Sequence, residues 1–330
     1  MKVTFKPTII ALLLILVGTT AYFKWPIVDL EFEKRLNEVI ANPDGVRKFD
    51  LNPYFSNREF FGIWDNQISF EIFGTIVLRW HIEKIPKGIG KLTALEELTM
   101  GGCGIQRLPQ EFQQLTELKE LAIGSNRFSE FPKVVYELQK LEYLEIGWNN
   151  FKMLPEGIGQ LINLKILYLH YNNLSHLPFD FWELVNLRHL WLHENEFQIL
   201  SNEIGQLQNL EILRLNGNLL TEIPKELFQL PKLERLFLED NKITALPDDI
   251  SGLESLLELN LSGNPIEKLP SNIQKLQNLY MLRLNDTNIS SLPRELLQCP
   301  MLNSVHLKGS KINSISDEFR EKARFDIYLE

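Results

Sequence analysis

The sequence predicts an α/β solenoid, in which short strands and irregular returns alternate along a stack of coils. Three observations support this. A 23-residue unit repeats ten times without insertion over residues 92–321, and a fixed period of this length is typical of stacked repeats. Each unit carries an alternating apolar segment, and each segment is followed by recurring asparagine and proline positions. The repeat therefore determines the fold class.

The alternating segment of each unit predicts a short strand. Its two apolar positions run from Leu98 and Met100 in the first unit to Val305 and Leu307 in the last, and all twenty positions are apolar. A period of two marks a strand with one buried face. Stacked units therefore predict a parallel sheet.

The turn after each strand contains an asparagine column. An asparagine side chain can both donate hydrogen bonds to and accept them from backbone groups within a turn. An apolar–proline pair such as Leu108-Pro109 follows, and proline suits an irregular return because it lacks an N–H group. The convex side should therefore be irregular or form short helices. The asparagine column comprises Asn126, Asn149, Asn172, Asn195, Asn218, Asn241 and Asn264.

These units resemble the leucine-rich repeat family with LxxLxLxxNxLxxLPxxIxx repeats, found in bacterial surface proteins and in signalling scaffolds. The resemblance implies a right-handed horseshoe with a parallel concave sheet and an irregular or short-helical convex side. It also implies recognition of proteins or peptides by the concave face. A secreted animal relative would be expected to carry cysteine-clustered caps, whereas this chain has only Cys103 and Cys299. The resemblance therefore favours the bacterial exported class.

The N-terminus predicts export. Lys2 and Lys6 precede an uncharged apolar run over residues 8–23, which is the layout of a signal peptide or a membrane anchor. The run is short for a full span, and we favour the anchor over a cleaved signal. The repeats should then lie on the non-cytoplasmic side, anchored to a membrane, in a periplasm or at a cell surface.

The remaining flanks should close the ends of the stack, because an open end exposes apolar side chains and a sheet edge. We divide the chain into an export segment (residues 1–23), an N-terminal helix and cap (24–68), a degenerate first coil (69–91), ten repeats (92–321) and a C-terminal cap (322–330).

Charge and cysteine content exclude several classes of function. The formal net charge of −9 disfavours nucleic acid as a partner, because a phosphate backbone is bound mainly by Lys and Arg. Cys103 and Cys299 lie nine strand spacings apart in the predicted stack, too far for a disulfide bond. We therefore expect two buried free thiols and no cofactor.

The candidate site lies on the concave face, where side chains between the core positions point to solvent. Its middle is aromatic and cationic, and Trp, Tyr and Arg dominate the binding energy of protein interfaces. The sequence therefore predicts a protein- or peptide-binding patch. The predicted binding residues are Tyr143, Trp148, Tyr168, His170, Tyr171, His189, Trp191, His193, Glu194, Arg214, Arg235, Phe237 and Glu239.

Two alternatives to an exported, non-enzymatic binding protein remain at the level of sequence. A cytoplasmic signalling scaffold would require residues 8–23 to be a core element. A metal-dependent hydrolase would use His170 and His193, which lie in one column and could share zinc with Glu194 or Glu239. The chain contains no nucleophile elbow, phosphate-binding loop or HExxH motif, so we predict no enzyme.

Overall fold

A computed structural model describes residues 37–43, 45–50, 85–312 and 314–329 of the 330-residue chain. The strands of these residues form one twelve-stranded sheet whose spatial order is the order of the chain. They are β1 (Lys48–Asp50), β2 (Glu97–Thr99), β3 (Glu120–Ala122), β4 (Tyr143–Glu145), β5 (Ile166–Tyr168), β6 (His189–Trp191), β7 (Ile212–Arg214), β8 (Arg235–Phe237), β9 (Glu258–Asn260), β10 (Met281–Arg283), β11 (Ser304–His306) and β12 (Asp326–Tyr328).

The strands pair in parallel and in the register that the period predicts. Leu98 lies beside Leu121, and Leu121 lies beside Leu144. The central residue of each strand from β2 to β11 is buried and its neighbours are more exposed, apart from Glu145 and Ser304. A solenoid with one parallel concave sheet is therefore confirmed.

The convex side consists of 3₁₀ helices and turns, as the proline positions predict. Most of these helices begin directly after the proline of the apolar–proline pair, as with Pro109 at φ −72°, and proline is pre-set for such a start. The 3₁₀ helices of the described residues are Lys87–Lys91, Gln110–Gln114, Lys133–Glu137, Ile158–Gln160, Phe179–Glu183, Asn202–Gln206, Lys225–Gln229, Ser271–Lys275 and Arg294–Gln298.

The asparagine column links successive coils. Asn172 is 7% exposed. Its Oδ1 accepts the backbone N–H of Phe151 at 3.1 Å, and its Nδ2 donates to the carbonyl of Leu169 at 3.0 Å. One side chain thus satisfies buried groups of two neighbouring coils, because an amide can donate and accept at the same time.

The strand beside β2 precedes the predicted first coil, of which residues 69–84 lie outside the described residues. The division into domains places that coil in residues 69–91, which implies that the strand beside β2 belongs to this segment. In the structure that place is occupied by β1, whose Phe49 pairs with Leu98. Arg47 and Glu96 bridge the same edge at 3.2 Å although 49 residues separate them. Lys48 of β1 and its partner Glu97 of β2 are not separated by a multiple of 23 residues, so the repeat pattern does not predict this strand.

Residues 85–91 nevertheless supply the convex return of this coil, with Ile85 and Ile89 buried. Residues 37–41 are α-helical, and a Cβ at Gly88 would lie 2.7 Å from the side chain of Ile40. This helix therefore packs directly against the return. The predicted export segment and most of residues 24–84 lie outside the described residues.

The C-terminal end closes with α1 (Asp317–Lys322) and β12. Phe319 is the buried residue of α1, and β12 pairs with β11. A cavity of about 410 Å³, lined by Phe319, Phe325 and Ile327 among others, opens at this end and not on the concave face. Cys103 and Cys299 are both buried free thiols. Within the described residues, no helix has the length and apolarity required to span a membrane.

Candidate functional site

The strand register brings the predicted central column together on the concave face. Tyr168 pairs with Trp191, Trp191 pairs with Arg214, and Arg214 pairs with Phe237. All four side chains are partly exposed. They lie opposite the buried leucines of the same strands, so their position is not explained by packing of the core.

These four side chains form a continuous stack across β5 to β8. The rings of Tyr168 and Trp191 are 3.9 Å apart and inclined by 17°. The guanidinium of Arg214 lies 4.8 Å from the ring centre of Trp191 and 4.5 Å from that of Phe237. Such stacking and cation–π contacts fix the side chains in place. The stack therefore covers both faces of the Trp191 ring.

Tyr143, His189 and Arg235 flank this stack. Tyr143 meets the ring of Tyr168 edge-on at 5.6 Å. His189 lies 3.7 Å from Glu211, yet burial lowers its pKa more strongly than Glu211 raises it. Arg235 is exposed. The flank therefore adds one aromatic ring and one exposed cation to the stack.

His170 and His193 form a second stack beside the first. Their ring centres are 4.7 Å apart at an interplanar angle of 13°. Burial, with a smaller contribution from the charge of Arg214, lowers the pKa of His170 to about 4. Burial and then His170 lower the pKa of His193 to about 3. Because both pKa values lie well below neutrality, both rings are uncharged at neutral pH.

A third pair of rings marks the rim of the concave face. Trp148 and Tyr171 are stacked at 3.7 Å, and both are exposed. Their φ angles are +52° and +51°, a left-handed conformation that costs a bulky residue roughly 1–2 kcal/mol. Later units place Gly217 and Gly263 at this position. The chain therefore keeps two exposed aromatic residues where glycine would be less strained.

Two acidic residues complete the predicted set. Glu194 lies at the rim, where its carboxylate folds over Gly217 and occupies the space of a Cβ. Burial and then Asp240 raise its pKa. Glu239 follows Phe237 by two residues and shares a column with His193. The thirteen predicted residues thus occupy the concave face and rim of five adjacent coils, those of β4 to β8. We refer to them as the concave patch.

Glu145 belongs to this surface and is missing from the predicted set. It is 6% exposed, and its carboxylate accepts the backbone N–H groups of Gly124 at 2.9 Å and Gly147 at 3.1 Å. Burial raises its pKa to about 7 in spite of these two bonds. Gly124 leaves the space that the carboxylate occupies. Gly124, in the preceding coil, is the sequence feature that could have predicted the buried carboxylate of Glu145.

The suggestion of zinc at His170 and His193 is not supported by the geometry. Two rings stacked face to face have parallel, in-plane lone pairs, and these do not converge on one ion at the ~2.0–2.1 Å that zinc requires. Within the described ranges, no group of three or more His, Cys, Asp or Glu residues could hold a metal ion.

Comparisons with known proteins agree on the fold. Residues 139–197 and 208–266 match the family described as Leucine rich repeat. The functional domain of InlJ from Listeria monocytogenes is 23% identical, with a TM-score of 0.62 over 74% of this chain and 50% of that one. No curated protein matches the chain in sequence.

Two plant structures are also similar. The peptide hormone receptor RGFR1 in complex with RGF2 is 26% identical, with a TM-score of 0.65 over 74% of this chain and 41% of that one. The ectodomain of the Arabidopsis thaliana receptor kinase GASSHO1/SCHENGEN3, in complex with CASPARIAN STRIP INTEGRITY FACTOR 2, is 29% identical, with a TM-score of 0.60 over 69% of this chain and 29% of that one. The matched region thus spans half or less of each of these three structures.

Proposed function

We propose that this chain, whose repeats match the leucine-rich repeat family over residues 139–197 and 208–266, is a non-enzymatic module that binds a protein or peptide through the concave patch. The observation that carries the proposal is the stack of Tyr168, Trp191, Arg214 and Phe237 on the solvent side of the sheet. Large rings on this face fill no core, and contiguous exposed apolar surface is typical of binding sites.

The composition of the patch supports a protein ligand. Trp, Tyr and Arg are the residues most enriched among binding hot spots, and ordered side chains lose less entropy when a partner docks. The stacked and exposed rings of Trp148 and Tyr171 support the same class of ligand, since exposed aromatic residues are typical of interaction surfaces. Both features lie on adjacent coils, so one ligand could contact them together.

The relatives support the same class of ligand. RGFR1 is a peptide hormone receptor that binds RGF2, and the GASSHO1/SCHENGEN3 ectodomain binds CASPARIAN STRIP INTEGRITY FACTOR 2. We extend to this chain only the use of a peptide or protein ligand. Nucleic acid is not the proposed partner, because the net charge is −9 and single strands bind on open ring faces within a basic groove.

The proposed location is outside the cytoplasm. The apolar run over residues 8–23 behind Lys2 and Lys6 supports export, and the matched GASSHO1/SCHENGEN3 domain is the ectodomain of a membrane receptor. We propose that residues 1–23 tether the repeats to a membrane or direct them across it.

Selection of a peptide ligand tests the proposed function. A displayed library of random linear peptides is panned against the full-length chain, and the dissociation constants of the selected peptides are measured by calorimetry. We expect Trp191→Ala to weaken binding by about thirtyfold or more, the equivalent of roughly 2 kcal/mol for a hot-spot residue.

Phe179→Ala is the matched control, since Phe179 is an aromatic residue that is 76% exposed on the convex side. It should leave the dissociation constant unchanged. Selected peptides that bind Trp191→Ala as tightly as the unaltered chain, or a library that yields no binder at all, would count against the concave patch.

A further inference from the structure

The outer edge of β12 has no neighbouring strand among the described residues. The N–H of Asp326 donates to the carbonyl of Asn303 at 2.9 Å. The carbonyl of Tyr328 accepts the N–H of Leu307 at 2.7 Å, so both residues direct their main-chain groups toward β11. Because successive residues of a strand direct these groups to alternate sides, the N–H and carbonyl of Ile327 point toward the open edge. An open edge is a template for the addition of another strand.

The cavity at the C-terminal end adjoins this edge. Its volume is about 410 Å³, and Phe325, Ile327 and Leu329 line it from alternate positions of the chain. Phe325 and Ile327 are partly exposed, and Leu329 is 38% exposed. The last coil thus leaves open an apolar layer that the end of a repeat stack normally covers. This surface is separate from the concave patch.

The composition of β12 does not block pairing with another strand. Edge strands commonly carry Lys or Pro, which oppose such contacts. The opposite end of the sheet follows this rule, since β1 contains Lys48 and directly follows Arg47. Residues 325–329 contain neither Lys nor Pro, and Asp326 is their only charged residue. The C-terminal edge is therefore the one suited to receive a partner strand.

We propose that the chain forms a two-fold symmetric dimer, in which β12 pairs antiparallel with β12 of a second copy and the pairing is centred on Ile327. In this register the outward main-chain groups of the two Ile327 residues exchange two hydrogen bonds. Phe325 of one copy lies opposite Leu329 of the other, so apolar side chains meet across the axis. The two cavities then adjoin, and each copy shields the apolar lining of the other from water.

The charges favour a second copy as the occupant, because a two-fold interface must be complementary to itself. In the proposed register Asp326 lies opposite Tyr328, so the one acid of the strand faces a hydroxyl group. Pairing centred on Asp326 would instead set two like charges directly opposite each other, which is unfavourable. α1 has acidic residues in its first turn and basic residues in its last turn. A two-fold-related copy therefore presents both signs of charge to α1.

A pair of cysteine variants tests both the dimer and its register. Asp326→Cys and Tyr328→Cys, at two exposed positions, are made in separate full-length chains. The two proteins are mixed and oxidised with copper phenanthroline, and the disulfide-linked dimer is measured on a non-reducing gel. In the proposed register the two Cα atoms lie about 4.5 Å apart, within the ~4.4–6.8 Å that a disulfide accepts.

Either protein alone provides the first control. Identical positions of the two copies lie about 8 Å apart, given a rise of ~3.4 Å per residue and a strand spacing of ~4.8 Å, which is too far for a disulfide. Each protein alone should therefore yield at least about fivefold less linked dimer than the mixture. Cys103 and Cys299 stay in every variant because both are buried.

Lys48→Cys, mixed with Tyr328→Cys, is the matched control at the other end of the sheet. Lys48 is an exposed residue of the edge strand β1, and this mixture should link no better than either protein alone. A stronger link here than between positions 326 and 328 would indicate head-to-tail stacking and overturn the two-fold dimer.

Ile327→Pro tests the role of the open edge. It removes the outward N–H and leaves the hydrogen bonds of Asp326 and Tyr328 to β11 in place, because a strand accepts proline where its N–H faces an open edge. Placed in both cysteine variants, it should reduce the linked dimer to the level of the single proteins. Leu329→Lys is the second variant if Ile327→Pro disrupts the cap, and it should reduce the linked dimer at least about fivefold, since lysine opposes pairing at an edge.

Two results would overturn the proposed dimer. One is a mixture that links no better than either protein alone, as expected if a different protein occupies the edge. The other is a link that persists in the presence of both Ile327→Pro and Leu329→Lys. Neither result bears on the concave patch, so the proposed function would stand.

Discussion

Replacing Asn172 by alanine removes one member of the buried asparagine column. The change leaves the N–H of Phe151 without its acceptor, whereas the carbonyl of Leu169 keeps a second donor in Asn195 at 3.1 Å. One orphaned buried donor costs roughly 1–3 kcal/mol, and each lost bond contributes about 0.5–1.5 kcal/mol. We therefore expect the free energy of unfolding to fall by about 2–4 kcal/mol.

Asn173→Ala is the matched control at the next position. Asn173 is exposed, and its Nδ2 donates to the exposed carboxylate of Glu196 at 2.9 Å. An exposed bond of this kind contributes little, so the loss should stay below about 0.5 kcal/mol.

The assay is urea denaturation followed by far-ultraviolet circular dichroism, with equal m-values required so that only stability differs between the two variants. Equal losses for Asn172→Ala and Asn173→Ala would refute the reasoning, since the buried amide would then contribute no more than a surface amide.

Three further predictions concern the core, the buried acid and the export segment. Leu213→Ala should cost roughly 2–5 kcal/mol because Leu213 is fully buried, while Leu257→Ala, at a residue that is 39% exposed, should cost far less; thermal melting of both variants measures the difference. Glu145 has its pKa raised to about 7 in the folded chain against about 4.3 when unfolded, so the folded state binds the extra proton and stability must fall as pH rises from about 5 to about 8. This pH dependence amounts to up to about 3 kcal/mol in the free energy of unfolding, and Glu145→Gln should lack it. Urea midpoints that change with pH equally in the two proteins would contradict the prediction. Deletion of residues 1–23 should move the chain from the membrane or exported fraction to the cytoplasm, and an unchanged distribution in cell fractionation would argue against export.

The fold could be predicted because successive coils bury side chains at the same positions of the repeat. Leu213 and Asn218 recur at fixed positions, so one unit determines the next. The repeat pattern does not predict the strand of the first coil, because β1 has only one inward apolar residue, Phe49, and lies outside the 23-residue period. A second amide ladder was also missed, in which Asn186 donates to the carbonyl of Ile162 at 2.7 Å and Asn209 to that of Val185 at 2.9 Å. These asparagines recur only in some units.

The candidate site could be predicted in position but not in chemistry. Strand register alone places Trp191 beside Arg214. It does not reveal that the guanidinium of Arg214 lies over one face of the Trp191 ring, because rotamers depend on neighbours in three dimensions. The neutral state of His170 and the raised pKa of Glu145 likewise depend on desolvation in the folded chain. The amino-acid sequence alone does not show how strongly a side chain is desolvated.

Photo-crosslinking tests the central claim most directly. A benzoylphenylalanine residue replaces Phe237 in the concave patch or Phe179 on the convex side of the full-length chain, and each protein is irradiated with a selected peptide that binds the unaltered chain. The account predicts a covalent peptide adduct from position 237 and none from position 179. An adduct from position 179 alone would contradict it.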